Sequence, residues 1–266
     1  MQAEAVPGDL AGNARRAATS AVRAADQGAR VVMFPELHLC GYDLATLIGA
    51  PDKSEVPADA SGSVMDHRLD PLAEAAADHM VTVLVGAAVR RKDGTLTNSV
   101  LAVHPTGATT VAYDKQHLWH DDESRVFTPG NRTAILAIDD WRVGLGICYD
   151  LSFPEHARAA ALAGAHAYLC PGAFAAGTEQ RSAVYLAARA LENTIYSAFA
   201  NPVGGPDHRR CDGGTAVYGP DGSTICRAEP GQTTLHVELD PKEIARVRVF
   251  LRMLTECRTT TASSTA

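Results

Sequence analysis

The stretch Trp141-Arg142-Val143-Gly144-Leu145-Gly146-Ile147-Cys148-Tyr149-Asp150-Leu151-Ser152-Phe153-Pro154-Glu155 decides how the rest of the chain is read. Val143 to Ile147 are apolar or glycine, the composition of a strand covered on both faces. Pro154 stands where a first helical residue is expected, and Glu155 places a negative charge in the first turn. The helix should continue through Ala157–Ala163 and stop at Gly164. Cys148 then falls on a strand-to-helix turn, beside backbone N–H groups that lack partners. Such groups favour a thiolate, lower the thiol pKa and can hold an oxyanion. The turn alone suits a nucleophile and a small packed core cysteine equally well.

Outward from this turn the pattern alternates. Ahead of it, Thr133–Ile138 and Arg142–Ile147 read as a hairpin around Asp139-Asp140. Behind it come a short strand Ala167–Pro171, a long helix Glu179–Asn193 and a strand Ile195–Asn201. Near the start, Asp9 caps a helix over Leu10–Asp26, Gly28 ends it, and a buried strand runs from Ala29 to Phe34. Pro51–Ser63 reads as a polar surface connection. A helix over Pro71–Met80 and strands over Val81–Val89, Leu96–His104 and Thr109–Tyr113 follow. An irregular acidic loop runs through Glu123 to Asn131, and a second loop spans Pro202–Gly214. Strands near Thr215–Tyr218, Ser223–Ala228 and Thr233–Leu239 precede a last helix from Pro241 to about Leu254. The Thr/Ser-rich tail Thr259–Ala266 has the composition of a disordered end. This mixture of βαβ units and hairpins predicts an α/β fold of mixed sheets with helices outside, in one domain over residues 1–254 with a tail over 255–266.

The 266 residues carry a net charge of -7, from 24 basic and 31 acidic side chains, with no basic block, which argues against a nucleic-acid partner. No apolar run reaches the length of a membrane span. Met1–Asp9 has neither the basic nor the apolar region of a signal peptide. Cys40, Cys148, Cys170, Cys211, Cys226 and Cys257 are scattered and form no C-x-x-C pair. That argues for free thiols in a reducing cytoplasm and against a structural zinc.

Three strand ends carry a reactive side chain: Glu36 after Met33-Phe34-Pro35, Lys115 after Tyr113-Asp114, and Cys148. A carboxylate, an ammonium and a thiol together can run acyl transfer, moving a proton, holding an oxyanion and attacking carbon respectively. Glu36 as a solvated loop residue and Lys115 as a surface lysine remain open on spacing alone.

Phe34-Pro35-Glu36-Leu37 with Gly41-Tyr42, Tyr113-Asp114-Lys115-Gln116-His117-Leu118, and Gly146 to Glu155 resemble the three signature regions of the nitrilase superfamily of carbon–nitrogen hydrolases, in order and at the family spacing. Phe127–Asn131, Ala188–Asn193, Asp212–Thr215 and Gly219–Gly222 extend the resemblance to nearly the whole chain, from about Gln2 to about Leu239. It implies a four-layer αββα sandwich of two mixed sheets, paired as a homodimer or higher homo-oligomer, with no cofactor and no metal. It carries over Cys148 as nucleophile, Glu36 as general base, and Lys115 with the Tyr149 N–H as oxyanion hole. It also carries over Glu123 as a second glutamate beside the lysine. The family implies a first core strand of which this chain holds only the end near Gln2. The segment Arg248–Leu254 departs from the Arg-Arg-Pro ending of many members.

Cys148-Tyr149-Asp150 followed by Phe153-Pro154-Glu155 resembles the amidase branch, including omega-amidase-like proteins. Nitrile-hydrolysing members typically have Cys-Trp-Glu there, and N-carbamoyl-D-amino-acid hydrolases Cys-Asn-Asp. A small-molecule carboxamide is the expected substrate and a carbamoyl compound the runner-up. Tyr42, Trp119 and the loop from Phe174 to Arg181 are expected to shape the pocket, with Arg181 either pairing a substrate carboxylate or standing as a surface arginine. Two other readings are a glutamine amidotransferase with a histidine base, which Asp150 disfavours where a glycine is usual, and a non-catalytic binding protein of the same fold.

Overall fold

The computed structural model describes residues 1–206 and 209–258. Helix α1 (Leu10–Asp26) starts at Asp9, whose carboxylate accepts from the Gly12 N–H at 3.1 Å. Leu10, Ala14, Ala17, Ala21 and Ala24 make its buried face. Then follow β1 (Val31–Met33), α2 (Leu44–Gly49), α3 (Pro51–Ser54), β2 (Glu55–Pro57), β3 (Ser63–Val64), α4 (Asp70–Asp78), β4 (Thr82–Arg90), β5 (Leu96–Val103) and β6 (Thr109–Asp114). These strands form a six-stranded mixed sheet in the order β1-β4-β5-β6-β3. Both β1 and β2 lie parallel to β4, at its two ends, while β4, β5 and β6 form an antiparallel meander.

The second half contributes α5 (His120–Ser124), β7 (Ala134–Ile138), β8 (Trp141–Leu145), α6 (Pro154–Leu162), β9 (Ala167–Pro171), α7 (Glu179–Asn193), β10 (Tyr196–Ala200), β11 (Val203–Gly204), β12 (Cys211–Asp212), β13 (Ala216–Tyr218), β14 (Thr224–Arg227), α8 (Pro241–Phe250) and α9 (Met253–Glu256). Its sheet runs β14-β13-β10-β9-β8-β7, with β8, β9 and β10 parallel. β11 and β12 form a separate ribbon.

The period of two along β4 and β5 explains the layering. Val83, Val85, Leu101 and Val103 pack with α1 and α4. Leu84, Val100 and Ala102 point the other way and pack with Val143, Leu145 and Tyr168 of the second sheet, in a cluster that continues into Ala157, Ala160, Leu186 and Ala190 on α6 and α7. The result is the expected αββα sandwich, and burial on both faces is why β4 and β5 read as nearly continuous apolar runs. Among the described residues no helix is long and apolar enough to cross a membrane. All six cysteines are free.

Three segments differ from their sequence reading. Pro51–Ser63 is ordered by α3 and β2 because Val56 is fully buried beside β4 and the Glu55 carboxylate meets Arg90 at 2.6 Å. Among the described residues Thr233–Leu239 forms no strand; Thr233 alone bridges Gln2, and its neighbours up to Leu239 make no backbone–backbone hydrogen bond. The last helix stops at Phe250, where Val249 and Phe250 face solvent at 82% and 87% exposure and contribute no burial to hold its final turn. The chain then resumes as α9. The expected tail Thr259–Ala266 lies outside the described residues.

Candidate active site

Glu36 lies in the turn after β1, where Leu37 takes a left-handed φ of 50°. This turn presses on β4 so closely that a Cβ at Gly86 would collide with the Pro35–Leu37 backbone, so glycine is required there. Lys115 directly follows β6; its N–H donates to the Asn98 carbonyl at 2.8 Å and its carbonyl accepts from the Gly130 N–H at 2.8 Å. The Lys115 Nζ is wholly buried and lies 2.7 Å from Glu36 Oε1, 3.0 Å from Glu123 Oε1 and 2.8 Å from Glu123 Oε2. The structure therefore brings the three predicted charged residues together. Glu123 is on α5, in the segment expected to be an irregular loop. It is buried because its Oε2 accepts from the Trp119 N–H at 2.7 Å and its Oε1 from the Tyr42 hydroxyl.

Asn98, unremarked in the sequence, donates from Nδ2 to Glu36 Oε1 at 2.8 Å. A polar side chain inside the apolar run of β5 was the available signal, since a buried amide needs a partner. With Oε1 held by Lys115 and Asn98, Glu36 Oε2 is left without a hydrogen-bond partner among the described residues. It is the oxygen free to take a proton.

Cys148 opens a 3₁₀ turn (Cys148–Ser152) with a left-handed φ of 48°. A non-glycine residue in this region is strained and is kept there by its surroundings. Gly146 lets the chain pass over the Tyr168 hydroxyl, where a Cβ would collide. Asp150 ties the turn down. Its Oδ2 accepts from the Ile147 N–H at 2.9 Å and the Tyr113 hydroxyl at 2.7 Å, and its Oδ1 from the His117 N–H at 2.9 Å and Nδ1 at 2.7 Å. Tyr113 and His117 flank Lys115, so one carboxylate clamps the lysine strand end to the cysteine turn. Since Tyr113 donates to Asp150, it must accept from His156 Nε2 at 2.7 Å, which leaves His156 Nδ1 to accept from the Tyr168 hydroxyl at 2.8 Å. Burial lowers the His156 pKa, which suits this neutral tautomer. Burial opposes ionisation of Asp150, yet the His117 hydrogen bond, the His156 field and the Ile147 N–H outweigh it and hold its pKa below the ordinary value. Asp150→Ala would strand these donors. It is expected to cost about 2–3 kcal/mol in urea unfolding and at least about tenfold in kcat through misplacement of the turn. An unchanged urea midpoint would show that Asp150 is not the clamp.

The thiol behaves opposite to its sequence reading. Burial, and then the Glu36 carboxylate, push the Cys148 pKa well up, against the opposing pull of Lys115. The Lys115 charge and the Ala173 N–H do not overcome the loss of water, which favours the thiol form. Glu36 is also raised, first by burial, with Lys115 opposing and Glu123 adding to the rise. For Lys115, burial works against the charge, but Glu36, Cys148 and Glu123 outweigh it and raise its pKa.

Cys148 fronts a cleft of about 720 Å³. The predicted Tyr42, Trp119, Phe174 and Arg181 all line it, together with Tyr149 and Arg209. Tyr149 follows Cys148 in the open first turn, with its ring edge-on to Trp119 at 4.9 Å. Glu36 borders a second cavity of about 30 Å³, also bounded by Tyr42 and Arg209. Arg209 was not singled out in the sequence, where it sits in a loop with no pattern of its own. Among the described residues no histidine lines the cleft, and His117 and His156 are engaged with Asp150 and the tyrosines, so none of these supplies a histidine base.

A family model, carbon-nitrogen hydrolase, matches residues 1–249. The chain belongs to the carbon-nitrogen hydrolase family. Among relatives in this family is a hydrolase in the pqqF 5' region of Pseudomonas protegens, 33% identical over 95% of this chain and 85% of the relative. The mouse omega-amidase NIT2 is 29% identical over 92% of this chain and 89% of its own length. The NitN amidase of Nesterenkonia sp. AN1 superposes with a TM-score of 0.79 at 28% identity, covering 97% of this chain and 94% of that one. A glutamate-to-glutamine mutant of the amidase from Nesterenkonia sp. AN1 carries the acetamide moiety of fluoroacetamide covalently at its active-site cysteine.

Proposed function

We propose that this protein hydrolyses a small carboxamide to a carboxylic acid and ammonia through a thioester on Cys148. The observation that carries the reading is the buried Lys115 ammonium held between Glu36 and Glu123, in the field of the Cys148 thiol at the wall of an open cleft. The relatives named as amidases, one with a covalently modified cysteine, support it.

In the proposed sequence, the free oxygen of Glu36 takes the thiol proton as Cys148 Sγ attacks the amide carbon. Lys115 Nζ and the Tyr149 N–H hold the oxyanion. Collapse of the tetrahedral species breaks the C–N bond, and protonated Glu36 gives its proton to the leaving ammonia. A water then attacks the thioester carbon while Glu36 accepts its proton, and the released thiolate recovers it. Glu123 holds Lys115 in place and, with Glu36, keeps it charged.

The raised pKa of Glu36 has a kinetic consequence. The base must be ionised to act, so kcat/KM falls as pH drops through its folded value. Burial raises that value, so the acid limb should lie above the ordinary glutamate pKa of about 4.3. A limb at or below that value would remove Glu36 as the base. The reading as a whole is tested by ammonia release from small amides, N-carbamoyl compounds and nitriles. Release from amides is the expected result. Release from the other two classes alone would move the substrate assignment, and silence with every class would overturn the reading.

A further inference from the structure

We propose that the small cavity bordered by Glu36 is a water site, that it supplies the water which hydrolyses the thioester, and that His38 holds that water against Glu36. This rests on the amidase reading and adds to it the route of the second substrate. The cavity measures about 30 Å³. A single water needs about 10–15 Å³, so the space takes one or two waters and no amide. Tyr42, Ala173 and Arg209 border both the cavity and the cleft, whereas Glu36 and His38 border the cavity and not the cleft. Pro7 and Gly205, both exposed, also border it, so it reaches from the surface toward the buried base by a path other than the cleft mouth.

Glu36 and His38 are each 2% exposed, and Glu36 Oε2 and His38 Nδ1 find no hydrogen-bond partner among the described residues. Buried polar atoms without a partner are costly, and a bridging water is the usual remedy. The His38 ring packs on Phe34, with centroids 4.9 Å apart. Burial, with the chain's amino group and Arg16 adding to it, lowers the His38 pKa to about 3. The imidazole is therefore neutral near pH 7, with one nitrogen to donate and one to accept, and it orients a water without competing for its proton. The chemistry calls for such a supply. Once ammonia has left, the acyl group sits on Cys148 at the cleft wall, in the way of water entering from that side. The water oxygen then attacks the thioester carbon and one of its protons passes to Glu36 Oε2. The C–S bond breaks, and the departing thiolate takes that proton back.

The test supplies butyramide together with hydroxylamine as a competing acyl acceptor. Water and hydroxylamine consume the same acyl-enzyme, so the ratio of butyrate to butyrohydroxamate reads the second step alone, whichever step limits turnover. Hydroxylamine, larger than water, reaches the thioester through the cleft. His38→Leu removes both ring nitrogens and should shift the ratio toward hydroxamate by at least about tenfold. His38→Asn, which keeps a donor and an acceptor, should retain part of the wild-type ratio. Ala5 also borders the cavity, and Ala5→Leu narrows it without altering Glu36 or His38, so it should shift the ratio in the same direction. A histidine that only supports the fold would slow ammonia release and leave the ratio unmoved. That result in His38→Leu, or in Ala5→Leu if His38→Leu does not fold, would overturn the water site and leave the amidase reading standing. No ammonia from any amide in the wild type would overturn both.

Discussion

Cys148→Ala is expected to reduce amide turnover by about five to six orders of magnitude, the loss seen when a covalent nucleophile is removed, while the protein stays folded. The second half of this prediction follows from size and place. Cys148 is a small side chain at the cleft wall and takes no part in the hydrogen bonds that hold its turn, which run through Ile147 and Asp150. Deleting one sulfur there should cost no more than about 1 kcal/mol of stability. The first half follows from what remains. Glu36, Lys115 and the cleft would still bind and polarise an amide, but no group in reach could form the acyl intermediate. The checks are ammonia release and a thermal shift with added amide, because a ligand that binds only the folded state raises the melting temperature. Turnover within about tenfold of the wild type would sink the covalent mechanism.

Lys115→Met should damage both activity and stability. Methionine matches the length of the buried stem but leaves Glu36 and Glu123 facing each other with no counter-ion. Breaking a buried ion pair from one side typically costs about 3–5 kcal/mol, and loss of the oxyanion donor costs about 10²–10³ in kcat. The pH dependence gives the loss a signature. Glu36 already titrates above its usual value because burial outweighs Lys115. Without the lysine that opposing pull disappears and the folded pKa rises further. A carboxyl whose folded pKa exceeds its unfolded value contributes stability below the unfolded pKa and loses it as pH rises through the folded one. The variant should therefore lie closest to the wild type in acid and fall behind it as pH increases. A stability gap that is flat with pH would mean that Lys115 is not what neutralises Glu36.

How much of this was legible beforehand depended on the range of the interaction. Glu36, Lys115 and Cys148 each stand at a strand end within a short motif, and local spacing sufficed to single them out. Glu123 was placed by resemblance alone, because its burial comes from Trp119 and Tyr42 folding over a segment that reads as an acidic loop. Asn98 and Arg209 lie 62 and 173 positions beyond Glu36 and carry no motif; only the sandwich brings them to the site. Two of the misread segments have suitable local composition but little to hold them: among the described residues the strand expected over Thr233–Leu239 finds a single bridge, at Thr233, and the last helix ends with Val249 and Phe250 turned to solvent.

Periodicity, turn residues and the three motifs pointed to the architecture and the family and picked out the candidate reactive side chains. Those signals arise between residues a few positions apart, where backbone geometry and alternation of apolar side chains act. Tertiary structure alone decided the protonation of those side chains and the charge of the cleft. A thiol at an open turn would have been acidified by the N–H groups around it. Buried at the end of β8 and beside Glu36, it loses more to desolvation than Lys115 and the Ala173 N–H return, and its pKa rises. The same loss of water that keeps the cysteine protonated raises the pKa of Glu36, whose free oxygen is left to take that proton.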